Sequence, residues 1–345
     1  MKEPLKAFGP DGTIIAYSYN GGTKWSQVPV KKSEKVKNRS YTRRIAAVLP
    51  LGGITPSFER RIINSFAPLA DANILAGWGP LGEIMTLSEN ALDGIVLPYG
   101  AIPFEETSEA IVKLKEVGKI VYLDIDSSVI ANRAEFSNMV ECIKRADAII
   151  VPSDSIANTL RKFNSIIFSV PPTVNVANWL GKRRVAVPGV IRIAVQPTAN
   201  KWVHETMEWA QEKWGDKITY QLDDWENRSV VDDPEFYTNI DIVVVGPPVN
   251  RHESTNQCLL SPMMAGCMII ADGAYSRTIN HMHSGIVVSA SGPSPWRKEF
   301  THAITDSRTR IKMQAGARQR VESYISRSLL SRLAMPYKRM IKEHE

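Results

Sequence analysis

Twice along this chain, short β-branched apolar runs alternate with amphipathic stretches of helical period, and a segment rich in proline, glycine and arginine separates the two series. The first series holds IAAVLPL (45–51), GIVLPYG (94–100), KIVYLDI (119–125) and AIIVPS (148–153). Helical stretches at 57–71 and 105–119 lie between them. In the second of these, Ala110, Ile111, Leu114 and Val117 form an apolar stripe opposite lysines and glutamates. The pattern breaks at PPTVNVANWLGKRRVAVPG (171–189) and then resumes with IRIAVQP (191–197), KITYQLDD (217–224), DIVVVGPP (241–248), CMIIAD (267–272) and GIVVS (285–289). Strands that are apolar almost throughout are buried on both faces, as in a parallel sheet covered by helices. The chain is therefore predicted to be α/β, with two tandem Rossmann-like domains. Ligands in such sheets bind beyond the carboxyl ends of the strands.

Length agrees, since 345 residues exceed what one core usually serves. The expected divisions are an N-terminal hairpin and basic linker (1–44), a first Rossmann-like domain (45–180), a second (181–310) and C-terminal helices packing back across both (311–345). The hairpin rests on TIIAYSY flanked by the turn signals Pro10-Asp11-Gly12 and Asn20-Gly21-Gly22. Cys142, Cys258 and Cys267 have no paired or CxxC spacing, which argues against a disulfide framework or a zinc site. The opening MKEPLKAFGPDGT has no apolar core of a secretion signal, and no run is long enough to span a bilayer. A cytoplasmic protein without a transmembrane segment is expected.

The net charge of +6 is uneven. Lys31, Lys32, Lys35, Lys37, Arg39, Arg43 and Arg44 face a single acid, Glu34, in one stretch. A second cluster comprises Arg318, Arg320, Arg327, Arg332, Lys338 and Arg339. Such runs suit a polyanion, either nucleic acid or an anionic membrane surface, and equally suit plain solvated faces.

The most specific segment is ESTNQCLLSPMMAGCMIIADGAY (253–275). It resembles the donor-binding signature of the retaining glycosyltransferase group called family 4: an acid at a helix start, a second acid eight positions on, a small-residue turn, an apolar strand and an aspartate. Glu253 takes the first acidic position, and Ala265-Gly266 with Cys267–Ala271 follow at the expected spacing. Ser261 stands where the second, ribose-holding acid would be, so charge-assisted recognition is lost there. Physically, Ser254, Thr255 and Asn256 open a helix whose free N–H groups suit a diphosphate. Three further stretches are similar to segments of related phage and bacterial transferases: LKEVGKIVYLDIDSSV (114–129), IKRADAIIVPSDSIANTLRKF (143–163) and IIFSVPPTVNVANW (166–179).

The resemblance implies a GT-B fold, with two Rossmann-like domains facing a central cleft and a C-terminal helical segment. It also implies a UDP- or GDP-sugar as substrate, retention of anomeric configuration, no tightly bound cofactor and no metal requirement. Glu253 would then contact sugar hydroxyls. Lys201, in the turn after IRIAVQP, and Arg251 would offset the departing diphosphate, with Thr198 and Asn200 as hydrogen-bonding groups. Gly52 and Gly53 form a small-residue turn expected near donor or acceptor. Asp124 and Asp126, at a strand end, would orient the acceptor or act as a base, or cap the following helix.

Two acceptor classes fit the charge. One is a hydroxymethylated pyrimidine in phage DNA, flipped from the duplex and held through phosphate contacts by the residues 31–44. The other is a surface polysaccharide or lipid-linked acceptor, with basic patches facing anionic lipid in peripheral contact. A degenerate GT-B binding protein without turnover and, further off, a nucleotide-sugar epimerase are the remaining readings.

Overall fold

The computed structural model describes residues 5–8, 14–18, 26–27, 43–55, 58–87, 92–126, 133–170, 173–174, 179, 181–196, 200–222, 234–247, 257–276, 278–324 and 327–342. The chain divides into two units, Met1–Asn175 with Arg327–Glu345, and Val176–Ser326. The C-terminal helical region is thus shared out. Helix Ser307–Tyr324 belongs to the second unit, and helix Arg327–Lys342 to the first.

The first unit contains β1 (Leu5–Phe8), β2 (Ile14–Ser18), β3 (Ser26–Gln27), β4 (Arg43–Val48), β5 (Ile74–Gly79), β6 (Gly94–Pro98), β7 (Ile120–Asp124), β8 (Ala148–Val151) and β9 (Ile167–Ser169). They form one sheet in the order β3-β2-β1-β5-β4-β6-β7-β8-β9. Strands β4 to β9 are parallel. The N-terminal strands pair antiparallel and join the sheet through β1 against β5. The hairpin expected around TIIAYSY is therefore an extension of the first sheet. Ile95, Val96, Leu97, Val121, Leu123, Ile149 and Val151 are all buried, which is why these strands read as continuous apolar runs.

The second unit contains β10 (Ile191–Val195), β11 (Ile218–Leu222), β12 (Ile242–Val245), β13 (Met268–Asp272) and β14 (Ile286–Val288), all parallel, in the order β11-β10-β12-β13-β14. Helices Lys201–Trp214 and Pro293–Thr305 pack together on one side of this sheet through Val203, Met207, Trp296 and Phe300. Helices Gln257–Ala265 and Ser307–Tyr324 also pack together.

One device recurs at the amino ends of the strands. Asp93, Asp147 and Asp241 each directly precede a strand. Their carboxylates accept the backbone N–H of Arg44 (2.6 Å), Val121 (2.8 Å) and Arg192 (2.8 Å) on the neighbouring strand. Each aspartate's own N–H returns a bond to the carbonyl of that same residue, at 2.8, 3.0 and 2.8 Å. The first N–H and C=O of each neighbour are thereby paired where the ladder begins. The Ala-Asp-x-hydrophobic segment that begins at Ala146 has this physical meaning, and Ser153 caps the helix Asp154–Leu160 that follows it.

Helix Arg327–Lys342 is held in the first unit by aromatic contacts. Tyr337 meets Tyr122 and Phe66 edge-on, with centroids 5.1 and 6.1 Å apart, and the Tyr122 hydroxyl donates to the Pro336 carbonyl at 3.5 Å. Burial pushes the Tyr337 phenol well above its ordinary value of 10.0. The unfolded chain then releases a proton near pH 10 that the folded chain keeps, so stability falls as pH rises through that value. Urea midpoints measured from pH 9 to 11 should fall less steeply in Tyr337→Phe, by one proton's worth of slope.

In helix Ser307–Tyr324, a Cβ at Gly316 would collide with the His283 carbonyl. Alanine favours a helix, yet here overpacking should dominate. Gly316→Ala is expected to lose about 1–3 kcal/mol in urea unfolding.

Candidate functional site

Strand order reverses once within each parallel array, and crevices form at such points. In the first unit the reversal lies between β4 and β6. The loop after β4 is Leu49–Thr55, and its Leu51 N–H donates to the Ala101 carbonyl of the loop after β6 at 3.1 Å. Gly53 closes a turn onto the Pro50 carbonyl (2.9 Å) with φ of 88°, a conformation that suits glycine. Gly52 and Gly53 therefore stand at the reversal point, flanked by the exposed side chains of Leu51 (80%) and Ile54 (45%).

Asp124 ends β7 and is only 5% exposed. Both its carboxylate oxygens accept from Arg61, whose Nη1 also donates to the Val170 carbonyl at 2.9 Å. Burial opposes the guanidinium charge, but the Asp124 carboxylate outweighs it and holds Arg61 above its ordinary value. A carboxylate so engaged joins the helical turn Glu59–Ile63 to the ends of β7 and β9. This differs from the solvent-facing base expected of Asp124. Asp126, two residues on, is half-buried.

In the second unit the order β11-β10-β12-β13-β14 reverses between β10 and β12. The segment after β10 leads into helix Lys201–Trp214. Asn200 caps that helix, accepting the Trp202 N–H at 2.9 Å, and Lys201 is its exposed first residue. The segment after β12 leads from Gly246 and Pro247 to helix Gln257–Ala265. Ser261 lies in that helix, 5% exposed. Its C-terminus is a Schellman turn: Gly266 has φ of 86°, its N–H bonds the Met263 carbonyl, and the Cys267 N–H bonds that of Pro262. Gln196, just past β10, is 2% exposed and escaped notice in the sequence.

Thr198, Arg251, Glu253, Ser254, Thr255 and Asn256 lie outside the described residues, as do Lys31, Lys32, Lys35, Lys37 and Arg39. Arg43 and Arg44 begin β4, half-buried and exposed respectively. The three cysteines are free and buried. Among the described residues no three His, Cys, Asp or Glu side chains converge as a metal site, and no helix is long and apolar enough to cross a membrane. A cavity of about 190 Å³ is lined by Arg192, Thr219, Tyr220, Asn239 and Ile240. Asn239 and Ile240 precede β12, so it lies toward the strands' amino ends, away from the reversal loops.

No family model and no curated protein sequence matches this chain. Solved structures do match its fold. Sucrose-phosphate synthase (tll1590) from Thermosynechococcus elongatus is similar with a TM-score of 0.58 at 11% identity, over 87% of this chain and 100% of that one. Anabaena Alr3699/HepE, solved in complex with UDP and glucose, gives 0.55 at 8% identity over 87% and 100%. A glycosyltransferase from Rickettsia africae gives 0.53 at 13% identity over 87% and 99%. The chain has the α/β fold of the GT-B glycosyltransferases.

The buried Arg61–Asp124 pair yields a test. Asp124→Asn leaves an uncompensated guanidinium and should cost about 3–5 kcal/mol in urea unfolding. The double change Arg61→Leu with Asp124→Leu should recover much of that loss. Equal losses in both would mean that the pair is not what holds the turn.

Proposed function

We propose that this protein is a glycosyltransferase that binds a nucleotide-sugar at the β10/β12 reversal of its second unit and transfers the sugar to an acceptor hydroxyl. One observation carries the reading: in a GT-B fold, the two segments flanking that reversal are those that contain Thr198–Lys201 and Arg251–Asn256. Lys201, Arg251 and the N–H groups opening helix Gln257–Ala265 would offset the charge on the departing diphosphate. Glu253 would bind the sugar hydroxyls, and the N–H groups that open a helix suit phosphate whether or not a metal takes part.

Asp126 and the turn at Gly52 and Gly53 would serve the acceptor. Asp124 would act through Arg61, holding the loop that carries Asp126. Retention of configuration follows the family 4 resemblance of residues 253–275. The acceptor we favour is a hydroxymethylated pyrimidine in DNA, on the strength of the basic stretch 31–44. Ser261, buried and in place of an acid, favours one second reading, a protein that binds nucleotide without turnover.

Calorimetric titration with UDP, GDP and their sugars tests the donor site. UDP should bind, and Lys201→Ala should weaken it roughly tenfold with the unfolding midpoint unmoved. Failure of every nucleotide to bind would sink the transferase reading. Incubation of UDP-glucose with hydroxymethylcytosine DNA or with a lipid-linked acceptor then separates the acceptors, and the anomeric configuration of the product reports the stereochemistry. Binding without transfer or hydrolysis would leave the binding protein.

A further inference from the structure

Helix Gln257–Ala265 contains Pro262. Proline has no backbone N–H, so the carbonyl four residues earlier, that of Cys258, loses its helical donor. Cys258 is buried, where an unpaired carbonyl is costly. The donor comes from elsewhere: the side-chain amide of Gln196, 62 residues away in sequence, donates to the Cys258 carbonyl at 2.8 Å.

Gln196 is placed to make this bond carry geometry. It is the first residue past β10, and its N–H donates to the Val244 carbonyl of β12 at 3.0 Å. Its backbone is thus tied to one strand of the reversal while it ends the other. Its side chain is tied to the opening turn of the helix that follows β12. The Cys258 thiol, donating to the Tyr275 hydroxyl at 3.8 Å, holds that turn from a second direction. From Gln196 the chain runs to Asn200 and Lys201, and into Gln257 it runs from the segment with Arg251 and Glu253.

We propose that Gln196 is a positioning residue for the donor site: its amide replaces the N–H that Pro262 removes, and so fixes the start of helix Gln257–Ala265 against the segment after β10. The inference rests on the donor reading above and goes beyond it by naming what sets the spacing of the two phosphate-facing segments. Proline makes the tie obligatory, because the helix cannot satisfy Cys258 by itself. Glutamine is required because a carbonyl needs a donor, which neither glutamate nor methionine offers.

The test is a cycle of four full-length proteins: wild type, Gln196→Met, Pro262→Ala and the double variant. UDP affinity is measured by calorimetry at a temperature where urea and thermal midpoints show all four folded. Gln196→Met should bind UDP roughly tenfold more weakly, whereas Pro262→Ala should stay within about threefold of wild type. In the double variant, the backbone N–H restored by Pro262→Ala can bond the Cys258 carbonyl within the helix, and UDP affinity should return to within about threefold of wild type.

Wild-type affinity in Gln196→Met overturns the proposal. So does a loss that Pro262→Ala fails to rescue, because Gln196 would then act other than through the Cys258 carbonyl. Absence of nucleotide binding by the wild type is a distinct result: it removes the donor reading, and the positioning role with it.

Discussion

A parallel sheet has two unlike ends, and this protein treats them differently. At the amino end each strand begins with backbone groups that the ladder does not reach. Asp93, Asp147 and Asp241 take up those groups by exchanging two bonds with a residue of the adjacent strand. Asp241 goes further, receiving Arg184 and Arg192 as ion partners, while its carbonyl accepts from the Gln314 side chain at 3.0 Å. The amino ends are consequently closed by short, local, charge-assisted bonds. What is left for ligands is the carboxyl end, where the loops diverge at the reversal of strand order.

This asymmetry also explains what could be read in the sequence. Strands β4, β6, β7, β8, β12 and β13 are buried along most of their length, and they stand out as apolar runs. Strand β5 does not, because Ile74–Gly79 builds its buried pattern from alanine, glycine and a tryptophan. Close approach of the chain there replaces bulk, and a run with two glycines carries no strand signal. Strand β9 is three residues long and reads as the exit from the first domain. The opposite error threatens at β11, whose β-rich sequence is exposed after Ile218 because it is the edge of the second sheet. The domain limit drawn at 311 moves because nothing in the sequence of Arg327–Lys342 says which sheet it packs on. Tyr337 finds its partners Phe66 and Tyr122 more than two hundred residues back.

The candidate site divides along the same line. Residues whose role follows from local order were legible: Asn200 before a helix is a cap, Gly53 closes a turn, and Lys201 opens a helix after the first strand of the second sheet. Asp124 was legible as a strand-end acid but not as the partner of Arg61, since 63 residues separate them and arginine in an amphipathic stretch is commonplace. Gln196 was invisible for the same reason, although Pro262 carried half of the message. A proline inside a helix states that some carbonyl has lost its donor, and a buried carbonyl must find another.

That half-message bears on how this fold tolerates so little sequence likeness. The matched structures share about a tenth of their residues with this chain and yet cover 87% of it. Parallel apolar strands and closed amino ends can be written in many ways, because aliphatic side chains of similar volume exchange at small cost. The carboxyl-end loops are not supported by a ladder, so their spacing must be set by individual bonds such as Gln196 to Cys258 and Leu51 to Ala101. Each such bond depends on a partner far away in sequence and is free to differ from one chain to another. Ser261 in place of an acid is a change of this kind: it alters a contact at the carboxyl end and leaves the sheet beneath it untouched.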